Sequence, residues 1–300
     1  MSKLHHAEPD LSQSLPPQQL SRWRDYIEHK IGFVLPEEQR RWLINAIEST
    51  AKKYQLNFDE LWRGVHSSQQ LRQSLLDEVL ILESRFFRHP PSIAFVTQLA
   101  ASHQHQSQHL TSQDRPSAAP FRIWSLGCAS GQEVWSLAMS LQEQGIEHFD
   151  ILGTDASQKA LAQAQAAYYD DKQINSIPKG YRHFLQPTNK PPQSALKPAG
   201  IRQFWQVAPI LQPRVRFIWH NIFSADLPTD NLQDVIICQN MLIYFRKFDQ
   251  RDILNRLSQQ CRQGGYIILA PGEGSGWQPE NMQKLRHSTI NAWQKIGGEP

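Results

Sequence analysis

Long apolar runs are missing from this chain of 300 residues. None approaches the roughly 18 residues needed to cross a bilayer, so no direct membrane insertion is expected. Cysteine is scarce: Cys128, Cys238 and Cys261 are widely spaced and odd in number, which supports neither a disulfide framework nor a zinc site. The opening MSKLHHAEPDLSQSLPPQQ has no apolar signal-peptide core and no lipidation signature. The expected compartment is therefore cytoplasmic. Acids are absent from one long stretch, Lys172 to His220, which carries Lys172, Lys179, Arg182, Lys190, Lys197, Arg202, Arg214 and Arg216. Such a stretch is either a solvated surface or a docking face for an acidic protein or nucleic acid.

What is present reads as an ordinary globular composition with two kinds of periodicity. Residues 1–19 are polar and proline-bearing, a flexible N-terminus. From 20 to 100 the pattern is helical: Leu20, Trp23, Ile27 and Ile31 recur at helical spacing, and Pro36 with two acids opens a second helix placing Trp42, Leu43, Ala46 and Ile47 together. This region reads as a helical bundle carrying little chemistry. Residues 101–120, rich in Gln, Ser and His, read as a flexible linker. The histidines there have no carboxylate or cysteine at ligand spacing, so no metal is expected. From 121 to 280, strands alternate with helices (FRIWSLGC, GQEVWSLAMSLQEQG, FDILGTDAS, SQKALAQAQAAYY, then VRFIWHNI, DVIICQNMLIYF, DQRDILNRLSQQC and GGYIILAPGE). That alternation predicts a parallel sheet covered on both faces, an α/β domain binding its ligand beyond the carboxyl ends of the strands. Residues 281–300 read as a C-terminal tail.

The first strand-to-helix turn carries the most information. It reads G-C-A-S-G-Q-E from Gly127 to Glu133, without the G-x-G-x-x-G spacing of a dinucleotide site. Glu133 stands where a pyrophosphate would have to sit, and two anions in a partly dry pocket repel by several kcal/mol, on the order given by Coulomb's law at low dielectric. A cationic ligand without phosphate fits better. S-adenosylmethionine, with a sulfonium and an α-amino group, is such a ligand. Asp155, about 28 residues beyond Gly127, ends the second strand where an acid commonly meets ribose hydroxyls. Capping of the following helix is its alternative role.

Four segments together, ESRFFRHPPSIAF, SLGCASGQEVWSLAM, GTDASQKALAQA and ICQNMLIYF, resemble the CheR-type chemotaxis receptor glutamate methyltransferases in order and spacing. GGYIILAPGE resembles that family's last strand. The resemblance implies an S-adenosylmethionine-dependent Rossmann-like sheet, an N-terminal helical domain, and a small antiparallel β-subdomain inserted at about 179–216. It implies methyl transfer to glutamate side chains in the cytoplasmic signalling region of membrane chemoreceptors. Carried over residue by residue, it makes Arg88 and Tyr244 catalytic. Ser84, Arg88, Glu133, Asp155, Asn221, Ile222, Gln239 and Asn240 are implied at the cofactor. This chain departs from the family at Leu82 (usually Asn), Ser84 (Thr), Val134 and Trp135 (Pro and Tyr), and Gln239 (Arg). Two other readings compete. A nucleic-acid methyltransferase would use the basic stretch, but an N/D-P-P-Y motif and paired catalytic cysteines are missing. A non-catalytic module that binds cofactor and docks on receptors would explain Leu82 and Gln239, yet Arg88, Glu133 and Tyr244 are retained.

Overall fold

The computed structural model describes residues 17–35, 39–108, 119–188 and 203–297. The N-terminus, Pro36, Lys190, Lys197 and Arg202 lie outside them. Helices α1 (Pro17–Ile31), α2 (Arg40–Tyr54), α3 (Phe58–Ser67) and α4 (Gln69–Val79) pack around a core of their own. Leu20, Trp23, Ile27 and Ile31 are all buried, as one apolar face at helical spacing requires. Gly32, at φ +66°, ends α1, and its N–H donates to Glu28 O at 2.7 Å. In α2, Leu43, Ala46 and Ile47 are buried, whereas Trp42 stays 44% exposed while its indole N–H bonds Val79 O at 2.9 Å. A capping box between Asn57 and Glu60 starts α3.

This bundle ends at Val79, short of the boundary expected near residue 100. Helix α5 (Pro90–Gln108) belongs to the sheet instead, because Ile93, Val96 and Ala100 join the core beneath it. The helix also runs on through residues 101–108, where composition suggests a flexible linker. Gln104 fixes it there, donating to Gly145 O at 3.1 Å and accepting from Glu147 N at 2.9 Å. Its polar residues form a wet helix face, a pattern that composition does not separate from a loop.

The main sheet contains β1 (Phe121–Leu126), β2 (Phe149–Asp155), β6 (Val215–Trp219), β7 (Gln233–Cys238) and β8 (Cys261–Leu269), all parallel. Its order is β6-β2-β1-β7-β8-β10-β9. The last two strands, β9 (Met282–Lys284) and β10 (Asn291–Lys295), are antiparallel and occupy the segment read from sequence as a tail. Without β10, the N–H and C=O groups of β8 would form a bare edge. Buried Ala292 and Trp293 seal that edge. Helices α6 (Gln132–Glu143), α7 (Gln158–Ala166) and α8 (Lys247–Gln260) complete the layers.

A second sheet, β3-β5-β4, is antiparallel and built from β3 (Tyr168–Asp170), β4 (Leu185–Thr188) and β5 (Phe204–Val207). It starts earlier than the expected 179–216, because α7 stops at Ala166 and Tyr168–Asp170 pair with β5. It also closes earlier, since Val215 and Arg216 pair with β2 in the main sheet. Among the described residues, no helix is long and apolar enough to cross a membrane.

Candidate active site

Strand order reverses at β1, which lies between β2 and β7, and a cavity opens beyond the carboxyl ends there. This is where an open α/β sheet leaves a crevice. Gly127 and Ala129 follow β1, Asp155 and Ala156 end β2, His220 to Ile222 follow β6, and Gln239 to Met241 follow β7. The opposite wall comes from the chain leading out of the helical bundle, Leu80 to Glu83 with Arg88, and from Ile31 and Phe33.

The turn after β1 is tied down from both sides. The N–H groups of Gly127 and Cys128 donate to Thr154 O at 2.8 and 3.0 Å. Asp155 spans the gap with both oxygens: Oδ2 accepts from Ala129 N and Oδ1 from Ser157 N, each at 2.8 Å. Burial pushes its carboxyl up, and these N–H groups pull it back. Ser157, not Asp155, caps α7, through Ala160 N. Asp155 therefore closes the turn while also lining the cavity.

Arg88 stands on a rigid base. Phe86 is fully buried and packs edge-on against Tyr169 at 4.8 Å. Phe87, at φ +52°, lies over Tyr181 at 4.6 Å and donates its N–H to Ser136 Oγ at 3.0 Å. The Arg88 guanidinium spends one N–H on Glu83 O at 2.9 Å. Tyr244 stacks on Phe33 at 4.6 Å, and its carbonyl accepts from Val34 N at 2.8 Å. Burial raises its phenol pKa, Glu83 raises it further, and the charge of Arg88 lowers it. Arg88 and Tyr244 thus share one electrostatic neighbourhood.

Of the nine site residues read from sequence, the cavity gathers seven: Arg88, Asp155, Asn221, Ile222, Gln239, Asn240 and Tyr244. Ser84 and Glu133 are not on its lining. Glu133 sits behind the turn, accepting from Ser125 Oγ at 2.7 Å. Burial pushes its carboxyl up to about 7, against the pull of Ser125 and the Arg88 charge. Gln239 reaches the cavity, but its amide N–H2 is committed to Ser92 Oγ at 3.0 Å and Leu269 O at 3.2 Å. Asn221 bonds Lys30 O at 3.1 Å, joining the site to α1.

The segment QNMLIYF, which reads as strand, leaves β7 at Cys238. Asn240 takes φ +59°, and Leu242–Tyr244 form a 3-10 turn. Sequence reasoning missed the bundle's contribution: Ile31 and Phe33 lie in an ordinary helical-exit pattern with no motif to mark them. Of the basic stretch, Arg214 lies over the Phe149 ring at 5.5 Å, whereas Lys172, Lys179 and Arg182 are exposed. Among the described residues, no group of His, Cys, Asp and Glu is placed to hold a metal.

The donor set suits S-adenosylmethionine. Among the described residues no glycine-rich phosphate cradle faces the cavity, the acids Asp155 and Glu83 line it, and a third, Glu133, lies near Arg88 behind the turn. Fold and cavity together define the S-adenosylmethionine-dependent methyltransferases as the class. The family model described as "CheR methyltransferase, SAM binding domain" matches residues 82–290, and the chain belongs to that family. It is 26% identical over 76% of its length to a probable biofilm formation methyltransferase of Pseudomonas aeruginosa, covering 50% of that protein. A chemotaxis protein methyltransferase of Borreliella burgdorferi is 25% identical over 88% of this chain and 90% of its own. A similar enzyme of Listeria monocytogenes is 26% identical, over 74% and 76%. The chain spans about half the length of the two Pseudomonas biofilm formation methyltransferases it matches.

Proposed function

We propose that this protein methylates glutamate side chains in the signalling region of membrane chemoreceptors, using S-adenosylmethionine as donor. The observation that carries this reading is the placement of Arg88. A guanidinium on an immobile Phe-Phe base, with N–H groups to spare, faces a cavity that also holds Tyr244. Arginine holds carboxylates through paired hydrogen bonds.

When bound, S-adenosylmethionine supplies a methyl group made electrophilic by its sulfonium. A glutamate side chain is already ionised near neutral pH, so the protein needs no strong base. Its task is alignment. Arg88 holds the incoming carboxylate, and the Tyr244 hydroxyl, kept protonated by its raised pKa, donates to the same region. The apolar wall of Phe33, Leu80, Ile81 and Leu82 keeps water from competing. Asp155 and Asn221–Ile222 hold the nucleoside end, and Glu133 provides the negative charge that complements a cationic donor. The exposed Lys172, Lys179 and Arg182 offer a docking face for an acidic receptor segment.

Incubation with radiolabelled S-adenosylmethionine and receptor signalling fragments tests the proposal. Base-labile label on glutamate is the expected result. Cofactor binding with no label on any receptor fragment would instead mark a non-catalytic docking module, and label on nucleic acid would mark the third reading.

A further inference from the structure

We propose that His89 is a positioning residue for methyl transfer that acts through Asn240, setting which end of the Asn240 amide faces the cavity. The inference rests on the reading of this cavity as the methyl-transfer site.

Asn240 is held at two points. Its backbone, in the left-handed region at φ +59°, donates its N–H to Glu273 Oε2 at 3.1 Å. That same oxygen accepts from Ala270 N at 3.0 Å, and Glu273 is only 7% exposed. A buried carboxylate thus pins the turn after β7 to the end of β8. The side chain is held separately, with Asn240 Oδ1 2.7 Å from His89 Nε2.

A primary amide has an acceptor at one end and two donors at the other. His89 donating from Nε2 to Oδ1 leaves Nδ2 for the cavity, and Nδ2 has no partner among the described residues. The neighbouring residue in sequence is Arg88, so two donors come to the cavity from adjacent positions of one segment: a guanidinium directly and an amide N–H2 through His89. Both suit a carboxylate. With the amide reversed, its oxygen would face the cavity and repel that group. The carboxylate belongs either to the amino-acid end of the donor or to the incoming glutamate, and the two sources are separable by measurement.

The test compares His89→Leu, His89→Gln, Asn240→Gly and the double variant His89→Leu/Asn240→Gly. Glycine is chosen at 240 because it accepts positive φ. Each is measured for S-adenosylhomocysteine affinity by calorimetry and for kcat and KM with a receptor fragment, after urea unfolding verifies that it is folded. His89→Leu is expected to weaken one of the two by about tenfold, the size of one lost hydrogen bond to a charged group. Loss of homocysteine-product affinity assigns the carboxylate to the donor. A raised KM at unchanged product affinity assigns it to the glutamate. Glutamine, which also donates an N–H, should recover most of the loss. In the Asn240→Gly background, His89→Leu should add nothing. Equal losses in both backgrounds, a His89→Leu protein that matches wild type, or glutamine no better than leucine would each overturn the role of His89. An Asn240→Gly protein with wild-type affinity and turnover would overturn the assignment of the cavity itself.

Discussion

At the scale of single residues, Arg88 and Glu133 make the sharpest demands. If Arg88 clamps the substrate carboxylate, Arg88→Ala keeps its fold, since Phe86 and Phe87 do the anchoring. Its methyl transfer should then fall more than about a hundredfold, because alignment and charge pairing in a shielded site supply several kcal/mol. Lysine restores only part, as a point charge lacks the planar two-point contact. Initial rates with a receptor fragment read both. Near-normal turnover in Arg88→Ala would remove it from the mechanism.

Glu133 predicts a pH dependence. Its folded carboxyl, pushed up to about 7, binds its proton more tightly than in the unfolded chain, where the reference is about 4.3. Its effect on stability is therefore most favourable below pH 4.3 and is lost as pH rises through 7. A cationic donor reverses the preference by favouring the ionised form. S-adenosylmethionine affinity should fall by up to about tenfold per pH unit below 7, with proton release on binding at pH 6. Glu133→Gln should flatten that profile, and calorimetry in buffers of different ionisation enthalpy measures the proton. A pH-independent affinity in wild type would separate Glu133 from the donor.

At the scale of elements, the β1–turn–α6 unit was legible because its chemistry is local. Gly131 has φ +85°, and a Cβ there would sit 2.8 Å from Ala164 Cβ and 3.2 Å from its Cα. Gly131→Ala meets both a strained backbone and a packed helix, so it should destabilise by more than about 1 kcal/mol. A lower urea midpoint at unchanged m is the expected signature. The turn after β7 was not legible. ICQNMLIYF is mostly apolar and reads as strand, yet Asn240 leaves the ladder, its N–H captured by a carboxylate 33 positions later. Nothing near Asn240 in sequence announces Glu273. The same holds for residues 168–170, which continue a helical pattern but are claimed by β5.

At the scale of the whole molecule, the helical bundle is part of the site. Phe33 stacks on Tyr244 with an interplanar angle of 24°, Val34 N–H holds the Tyr244 carbonyl, and Asn221 reaches back to Lys30. Beside the end of β2, Gln73 of α4 donates to Ala156 O at 2.9 Å, and Asp77 accepts from Ser157 Oγ at 2.9 Å. The bundle thus grips the cavity at both ends. Phe33→Leu keeps the burial but removes the stack. With an aromatic pair worth about 0.5–1.5 kcal/mol, unfolding stability should fall by about that amount, and turnover by between about twofold and tenfold as Tyr244 loses the ring that positions it. A variant with wild-type kcat would reduce Phe33 to a core residue.

The sequence by itself determined the parts whose cause lies within a few residues. The apolar period made the bundle and the buried strands. The G-C-A-S-G-Q-E turn, with an acid in place of a phosphate cradle, pointed to a cationic cofactor, and Asp155 marked the end of the second strand, on the cavity. Tertiary structure alone decided what depends on groups brought together from far along the chain. It placed Glu133 behind the turn rather than on the lining, and it spent the Gln239 amide on Ser92 and Leu269. It made strands β9 and β10 of what reads as a tail, because the edge of β8 needed partners. It also set Phe33 against Tyr244 across 211 positions of sequence. Local pattern fixes which faces are apolar, whereas hydrogen-bond satisfaction and packing choose which faces meet.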